Sequence, residues 1–166
     1  MEMTVPISAV VTGTVRIVAP KAGKLGGWTP SEAVFVKDAV DDFKDDYAID
    51  PARVFLHSFD DGNTLAFQMA FKYRDQFRGV CAMSAPMRAR PVENSPDYRL
   101  QFHFVCGDQD RMNIRQVART VSALRGLKFP VSSTTVKGLG HDYPTTKDQG
   151  EILREIARWA DCLDRI

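Results

Sequence analysis

The sequence has almost no excess charge of either sign and no long hydrophobic run. Its 166 residues include 22 Lys and Arg against 21 Asp and Glu, which gives a net charge of +1. A nearly neutral chain has little electrostatic attraction to nucleic acid or to an anionic membrane, so we expect neither as a partner. No apolar stretch approaches the ~18 residues that a membrane-spanning helix requires. The first residues also lack the basic and apolar regions of a signal peptide.

Cysteine is scarce as well. The three cysteines, Cys81, Cys106 and Cys162, are an odd number and lack the close spacing of a metal site. Cys81 and Cys106 fall in apolar runs that predict buried strands. We therefore interpret them as reduced core thiols, which suits a cytoplasmic protein, and we expect neither a metal nor another cofactor.

What the sequence does contain is an alternation of short apolar runs with amphipathic segments. Apolar runs predict strands at residues 54–56, 79–83 and 101–106, and residues 131–136 are interpreted as the last strand. β-branched residues predict a further strand or hairpin within 7–11 and 14–19. Helical periodicity follows a start signal at Thr29 to Glu32, and it recurs after Gly62, Ile114 and Gly140. This order predicts an α/β fold with a mostly parallel sheet between two layers of helices, in a single domain across residues 1–166.

Residues 53–70 are the stretch around which the rest is organised. A short apolar run ends in six mostly small or polar residues, and a helix with a buried face follows at once. Strand, abrupt turn and buried helix are the layout of a nucleophile elbow, which presents a reactive side chain at its apex. With the apex at Asp60, the small residues that close packing requires fall at Ser58 and Gly62. Aspartate also tolerates a left-handed backbone better than most non-glycine residues.

Residues 50–56, with the turn and helix after them, resemble the α/β-hydrolase superfamily, and most of all its carboxylesterase, phospholipase-like and polyhydroxybutyrate-depolymerase-like branch. That family has G-x-S-x-G at the elbow, with Ser as nucleophile, whereas residues 58–62 here are Ser-Phe-Asp-Asp-Gly. The resemblance therefore places Asp60 at the nucleophile position. It extends from about Val15 to the C-terminus and implies a three-layer α/β/α fold that lacks the first strands and the His-Gly-type oxyanion loop.

Two further motifs carry the resemblance. The family's acid follows a strand as G-x-x-D, which matches residues 107–110, and its histidine follows the last strand as G-x-G-H, which matches residues 138–141. The resemblance thus implies Asp110 as the acid and His141 as the catalytic histidine. It also suggests Trp28, before the first helix, and Asp61, after the apex, as substrate-binding residues.

A carboxylate at position 60 changes the expected chemistry. If Asp60 and Asp110 both flank His141, two anions hold the imidazole protonated, and a protonated imidazole is no general base. Three interpretations follow: an esterase-like protein that has lost turnover and acts as a binding or assembly module, a working hydrolase that uses Ser58 in an alternative register, and an Asp-nucleophile hydrolase similar to haloalkane dehalogenases or epoxide hydrolases. Residues 85–100 are too few for the helical cap domain of that last class.

The expected partners follow from the same resemblance. An active protein takes a small ester-like molecule as substrate. The absence of the first strands leaves one edge of the predicted sheet uncovered, and an uncovered edge readily pairs with another strand. We therefore expect a homodimer that forms through this edge.

Overall fold

A computed structural model of the chain describes residues 16–23, 27–143 and 146–161. The chain divides into two compact units, residues 1–49 and residues 50–166. The strand or hairpin expected at 7–11 and 14–19 lies mostly outside the described residues, and its described part, residues 16–19, forms no strand. A single domain across residues 1–166 stays a prediction.

The first unit contains one described α-helix, α1 (Ala33–Asp46), which follows a short 3₁₀ turn at Pro30–Glu32. Its start lies where the sequence predicts it, because the Glu32 carboxylate accepts the backbone N–H of Thr29 at 2.6 Å. Trp28 is partly buried just ahead of this turn. Its role in substrate binding stays a prediction.

The second unit is a parallel sheet with helices on both faces. In chain order it contains β1 (Phe55–Phe59), α2 (Gly62–Lys72), β2 (Gly79–Met83), β3 (Gln101–Gly107), α3 (Ile114–Gly126), β4 (Val131–Val136) and α4 (Thr146–Ala160). The four strands lie side by side in this order, and every neighbouring pair is parallel. The predicted first strand is too short, since β1 continues to Phe59 and so includes Ser58.

Side chains of the sheet alternate between two apolar clusters, one on each face. The first cluster packs against α2 and α3 and includes Phe67, Phe102, Phe104 and Leu124. The second packs against α4 and includes Cys81, Met83, Val105, Ile152 and Ile156. β2 and β3 are buried along their whole length and are almost continuous apolar runs in the sequence, whereas β1 and β4 are partly exposed and contain polar residues. The sheet is the middle of three layers, which confirms the predicted α/β/α class.

Two expectations from composition concern the described residues directly. Cys81 and Cys106 are free, buried thiols, as predicted, and Cys162 lies outside the described residues. In the part of the chain that the structure describes, no helix is both long enough and apolar enough to cross a bilayer.

Candidate active site

The chain turns sharply between β1 and α2, and Asp60 occupies the apex of this turn. Its φ of +48° is left-handed, a conformation that is uncommon and strained for a non-glycine residue. The Asp60 backbone N–H donates to the Met83 carbonyl at 3.0 Å, so hydrogen bonding continues one residue beyond the strand. Helix α2 begins at Gly62. The turn therefore has the geometry of an elbow with Asp60 as its apex.

A buried amide, that of Asn63, fixes this elbow to the neighbouring strand. Its Nδ2 donates to the carbonyl oxygens of Met83 and Ala85, both at 3.1 Å, and its Oδ1 accepts the Ser58 hydroxyl at 2.5 Å. Asn63 is only 1% exposed. The structure thus places Ser58 within β1, where its hydroxyl donates to Asn63, and not at the apex that the alternative register requires.

His141 lies between two carboxylates. Asp110, which is 2% exposed, accepts a hydrogen bond at Oδ2 from His141 Nδ1 at 2.9 Å. On the other side of the ring, His141 Nε2 lies 3.4 Å from Asp60 Oδ1. The structure therefore brings together the three residues to which the sequence assigned nucleophile, acid and histidine positions.

Backbone contacts join the loop that carries Asp110 to the loop that carries His141. The Gln109 N–H donates to the Leu139 carbonyl at 2.9 Å, and Asp108 Oδ1 accepts the Gly138 N–H at 2.7 Å. Gly107, at the end of β3, makes this approach possible, because a Cβ at that position would lie 2.0 Å from the Leu139 carbonyl oxygen. The spacing between Asp110 and His141 thus depends on a residue without a side chain.

The electrostatics of the site favour a charged imidazole. The hydrogen bond to Asp110 raises the pKa of His141, partial burial opposes this, and the charges of Asp110 and Asp60 raise the pKa further. Burial pushes the pKa of Asp110 upward, but hydrogen bonds from His141 and Asn113 outweigh burial and leave that pKa below its ordinary value. While it carries both protons, an imidazole cannot accept a proton from a nucleophile.

Asn113, just before α3, is a site residue that the sequence analysis does not identify. Its backbone N–H donates to Asp110 Oδ1 at 3.1 Å, and its Nδ2 lies 3.2 and 3.1 Å from the two Asp110 oxygens. The same Nδ2 lies 3.0 Å from His141 Nδ1. In sequence Asn113 looks like an ordinary helix cap. Its contact with His141 arises only because the β4 loop folds back over it.

Aromatic rings flank His141 on the side of β1. The Phe59 ring centroid lies 5.6 Å from that of His141 and 5.7 Å from that of Tyr143. The Tyr143 hydroxyl is hydrogen-bonded to His57 Nε2 at 3.0 Å. These contacts hold the residues around His141 against the end of β1 and limit the positions that the imidazole can take.

Asp61 follows the apex directly. Its exposed carboxylate pairs with Arg88 at 3.2 Å. In a nucleophile elbow the backbone N–H at this position stabilises the oxyanion of the reaction. A substrate-binding role for Asp61 stays a prediction. Among the described residues, no group of three or more His, Cys, Asp or Glu side chains is placed to hold a metal ion.

Comparison with known proteins gives matches to structures but not to sequences. Neither a family model nor a curated protein sequence matches the chain. Similar solved structures include SOBER1 of Arabidopsis thaliana (TM-score 0.59, 20% identity, 81% of this chain covered), esterase PE8 (0.57, 17%, 76%) and a ferulic acid esterase (0.60, 17%, 80%). The chain has an α/β-hydrolase fold.

The likeness has definite limits in length and in sequence. The match of this α/β-hydrolase-fold chain spans 64% of the SOBER1 chain and 60% of each of the other two. Identity of 17 to 20% supports the shared fold alone and transfers no substrate. The function of this chain must therefore be argued from its own site.

Proposed function

We propose that this chain is a carboxylic-ester hydrolase of the α/β-hydrolase fold whose nucleophile position is occupied by Asp60, so that its turnover of simple esters is weak or absent. The observation that carries the proposal is the position of His141 between the elbow apex and a buried acid, 3.4 Å from Asp60 and 2.9 Å from Asp110. This is the arrangement of a serine-hydrolase triad in which the hydroxyl is replaced by a carboxylate.

The mechanism of a serine-hydrolase triad shows which step a carboxylate at position 60 prevents. A serine at the apex would transfer its proton to His141 Nε2 as Oγ attacks the substrate carbonyl, while Asp110 orients the ring. The backbone N–H of Asp61 supplies one donor for the resulting oxyanion. Ionised Asp60 has no proton to give, is a weak nucleophile toward esters and favours the charged imidazole. The groups that orient the reaction are present, and the group that starts it is not.

Restoring the hydroxyl tests the proposal directly. We expect Asp60→Ser to hydrolyse p-nitrophenyl acetate at least ~100-fold faster than the wild type, because general-base catalysis by a positioned histidine contributes factors of this size. Adding His141→Ala to Asp60→Ser should remove the gain. The matched control is Asp61→Ser, which places a new hydroxyl one residue from the apex. If Asp60→Ser is no faster than Asp61→Ser, the proposed ester chemistry is wrong.

A second candidate function treats Asp60 as the nucleophile itself. The observation in its favour is that the Asp60 side chain is 40% exposed, and so open to a ligand, while it faces His141. When Asp60 attacks a saturated carbon, the bond from that carbon to its leaving group breaks, and in an epoxide the released ring oxygen takes a proton from water. The resulting ester carries no charge, and His141 then faces only one anion. Its pKa would fall, and it could activate water. The short connection between β2 and β3 counts against this candidate, because it leaves no room for a cap domain.

Mass spectrometry distinguishes this second candidate from the first. With a small epoxide such as styrene oxide, an Asp-nucleophile hydrolase whose His141 is changed to Gln should accumulate a covalent adduct, since the ester forms but is not cleaved. Asp60→Asn in the same background should form none. No adduct above the Asp60→Asn level would exclude this chemistry.

A non-catalytic binding or assembly role is the third possibility, and it predicts that neither experiment yields a product. The homodimer through the edge of the sheet belongs with it as a proposal. Within the described sheet β1 is an edge strand, next to β2 alone. Light scattering at high protein concentration should give twice the monomer mass of 18.6 kDa, and a monomer mass would contradict the dimer. The cytoplasmic location also stays a prediction.

A further inference from the structure

The orientation of the Asn113 amide is fixed by its neighbours. Nδ2 lies within hydrogen-bonding distance of both Asp110 carboxylate oxygens. The opposite amide orientation would place Oδ1 against those two negative oxygens, which is electrostatically unfavourable. The NH₂ group therefore faces Asp110. The same group faces His141 Nδ1 at 3.0 Å.

In this orientation Asn113 and Asp110 have opposite effects on the proton of His141 Nδ1. An amide NH₂ only donates, whereas imidazole Nδ1 donates when it carries a proton and accepts when it does not. When Nδ1–H donates to Asp110, the contact with Asn113 joins two donors and is unfavourable. When Nδ1 is bare, Asn113 can donate to it. Asn113 thus favours the unprotonated nitrogen, and Asp110 favours the protonated one.

Asn113 also acts through Asp110. The Asp110 carboxylate accepts from the Asn113 backbone and side chain as well as from His141. Hydrogen bonds to a carboxylate stabilise its charged form and lower its basicity, so it attracts the proton of a further donor less strongly. The direct contact with Nδ1 and the hydrogen bonds to Asp110 act in the same direction, because both lower the affinity of the imidazole for its proton.

We propose that Asn113 is a positioning residue that limits how firmly Asp110 retains the proton on His141 Nδ1. Among the described residues, the groups that face His141 are Asp60 from the elbow, Asp110 and Asn113 from the β3 loop, and the Phe59 ring from β1. Both carboxylates favour protonation, the ring is neutral, and Asn113 opposes it. Any effect of Asn113 on ester turnover rests on the proposed function, whereas its effect on the protonation of His141 does not.

NMR titration of the His141 ring protons measures this balance without any substrate. The chain has three histidines, and His141→Gln identifies the signal. We expect Asn113→Ala to raise the measured pKa of His141 by about 0.5 to 1 unit, the size of effect that a lost hydrogen bond of this kind produces. Asn113→Leu, which keeps most of the side-chain volume and removes the donors without adding a charge, should raise it by a similar amount. An unchanged or lowered pKa in Asn113→Ala would overturn the proposal.

Two comparisons separate this role from a general effect on folding. Val121→Ala removes a buried contact in α3 two turns away from Asn113, and it should leave the His141 pKa unchanged. If Asn113→Ala does not fold, the uncharged and similarly sized Asn113→Leu decides the direction, and no rise in that variant overturns the proposal. Inactivity of Asp60→Ser would reject the ester chemistry and leave these pKa values untouched, so the two proposals fail independently.

Discussion

The two sides of the candidate site are built very differently. On one side, Asp110 and His141 are held by a 2.9 Å hydrogen bond, by two contacts between their loops and by the close backbone approach at Gly107. On the other side, the elbow is joined to His141 by one longer contact of 3.4 Å from Asp60. The elbow itself is firmly held, but by Asn63 and β2.

This difference shows what the geometry of each side depends on. The spacing between Asp110 and His141 depends on loop packing that many residues share, whereas the group that faces His141 Nε2 depends on the Asp60 side chain alone. We therefore expect substitutions at the contact between the two loops to affect folding, and substitutions of the Asp60 side chain to affect the chemistry of the site with little effect on folding.

The largest effect on folding is expected at Gly107. Gly107→Ala places a Cβ 2.0 Å from the Leu139 carbonyl oxygen, and backbone cannot yield as a flexible side chain can. We expect a loss of about 3 kcal/mol or more in the free energy of unfolding, measured by urea denaturation.

Gly126→Ala is the matched control for this change. Gly126 is the last residue of α3, and a Cβ there meets nothing within 4 Å. The free energy of unfolding of Gly126→Ala should equal or slightly exceed that of the wild type. Equal losses in the two variants would show that the close approach at Gly107 does not constrain the site.

A smaller but still clear effect is expected at Asn63. Asn63→Ala removes the amide from the buried Ala85 carbonyl and from the Ser58 hydroxyl, while the Met83 carbonyl keeps only the bond from the Asp60 N–H. We expect a loss of about 2 to 4 kcal/mol in the free energy of unfolding. Ser58→Ala removes one hydrogen bond and should cost about 1 kcal/mol. In the Asp60→Ser background, Ser58→Ala should retain ester hydrolysis. Loss of activity with normal stability would make Ser58 the nucleophile after all.

The smallest predicted effect is the dependence of stability on pH. The His141 pKa is raised above its ordinary value of 6.5, so its contribution is complete below pH 6.5 and is lost as the pH rises through the raised value. The Asp110 pKa is lowered below 3.8, so its contribution is complete above pH 3.8 and is lost as the pH falls through the lowered value. Both contributions to stability are complete between pH 3.8 and pH 6.5.

Urea midpoints from pH 5 to 9 test the alkaline limb. The wild type should lose more stability above pH 6.5 than His141→Gln does, because only the wild type loses an imidazole proton whose charge Asp60 and Asp110 stabilise. If the urea midpoints of the wild type and of His141→Gln change equally with pH, the electrostatic account of the site is contradicted.

The sequence was sufficient for the elements whose signals are local. The strands β2 and β3 are compact apolar runs, and small residues around an aspartate mark the turn at Asp60. The motifs that end in Asp110 and His141 are similarly local. Sequence reasoning ended β1 too early because His57 and Ser58 are polar, although the strand continues through them to Phe59.

The residues that sequence reasoning missed act through contacts that no local pattern encodes. Asn63 and Asn113 each resemble an ordinary residue at the start of a helix. Their importance comes from what the fold places against them, which is the end of β2 for Asn63 and the loop after β4 for Asn113. Polar side chains that join two distant segments are therefore the part of such a site for which coordinates are needed.

The left-handed backbone at residue 60 has a consequence for how this protein can be altered. Asparagine and aspartate tolerate a φ of +48° better than other residues with side chains, and β-branched residues tolerate it least. Exchanging Asp60 for a small unbranched residue such as serine should therefore change folding little. The chemical group that this turn presents beside His141 can change in a single substitution, while the packing around it stays as it is.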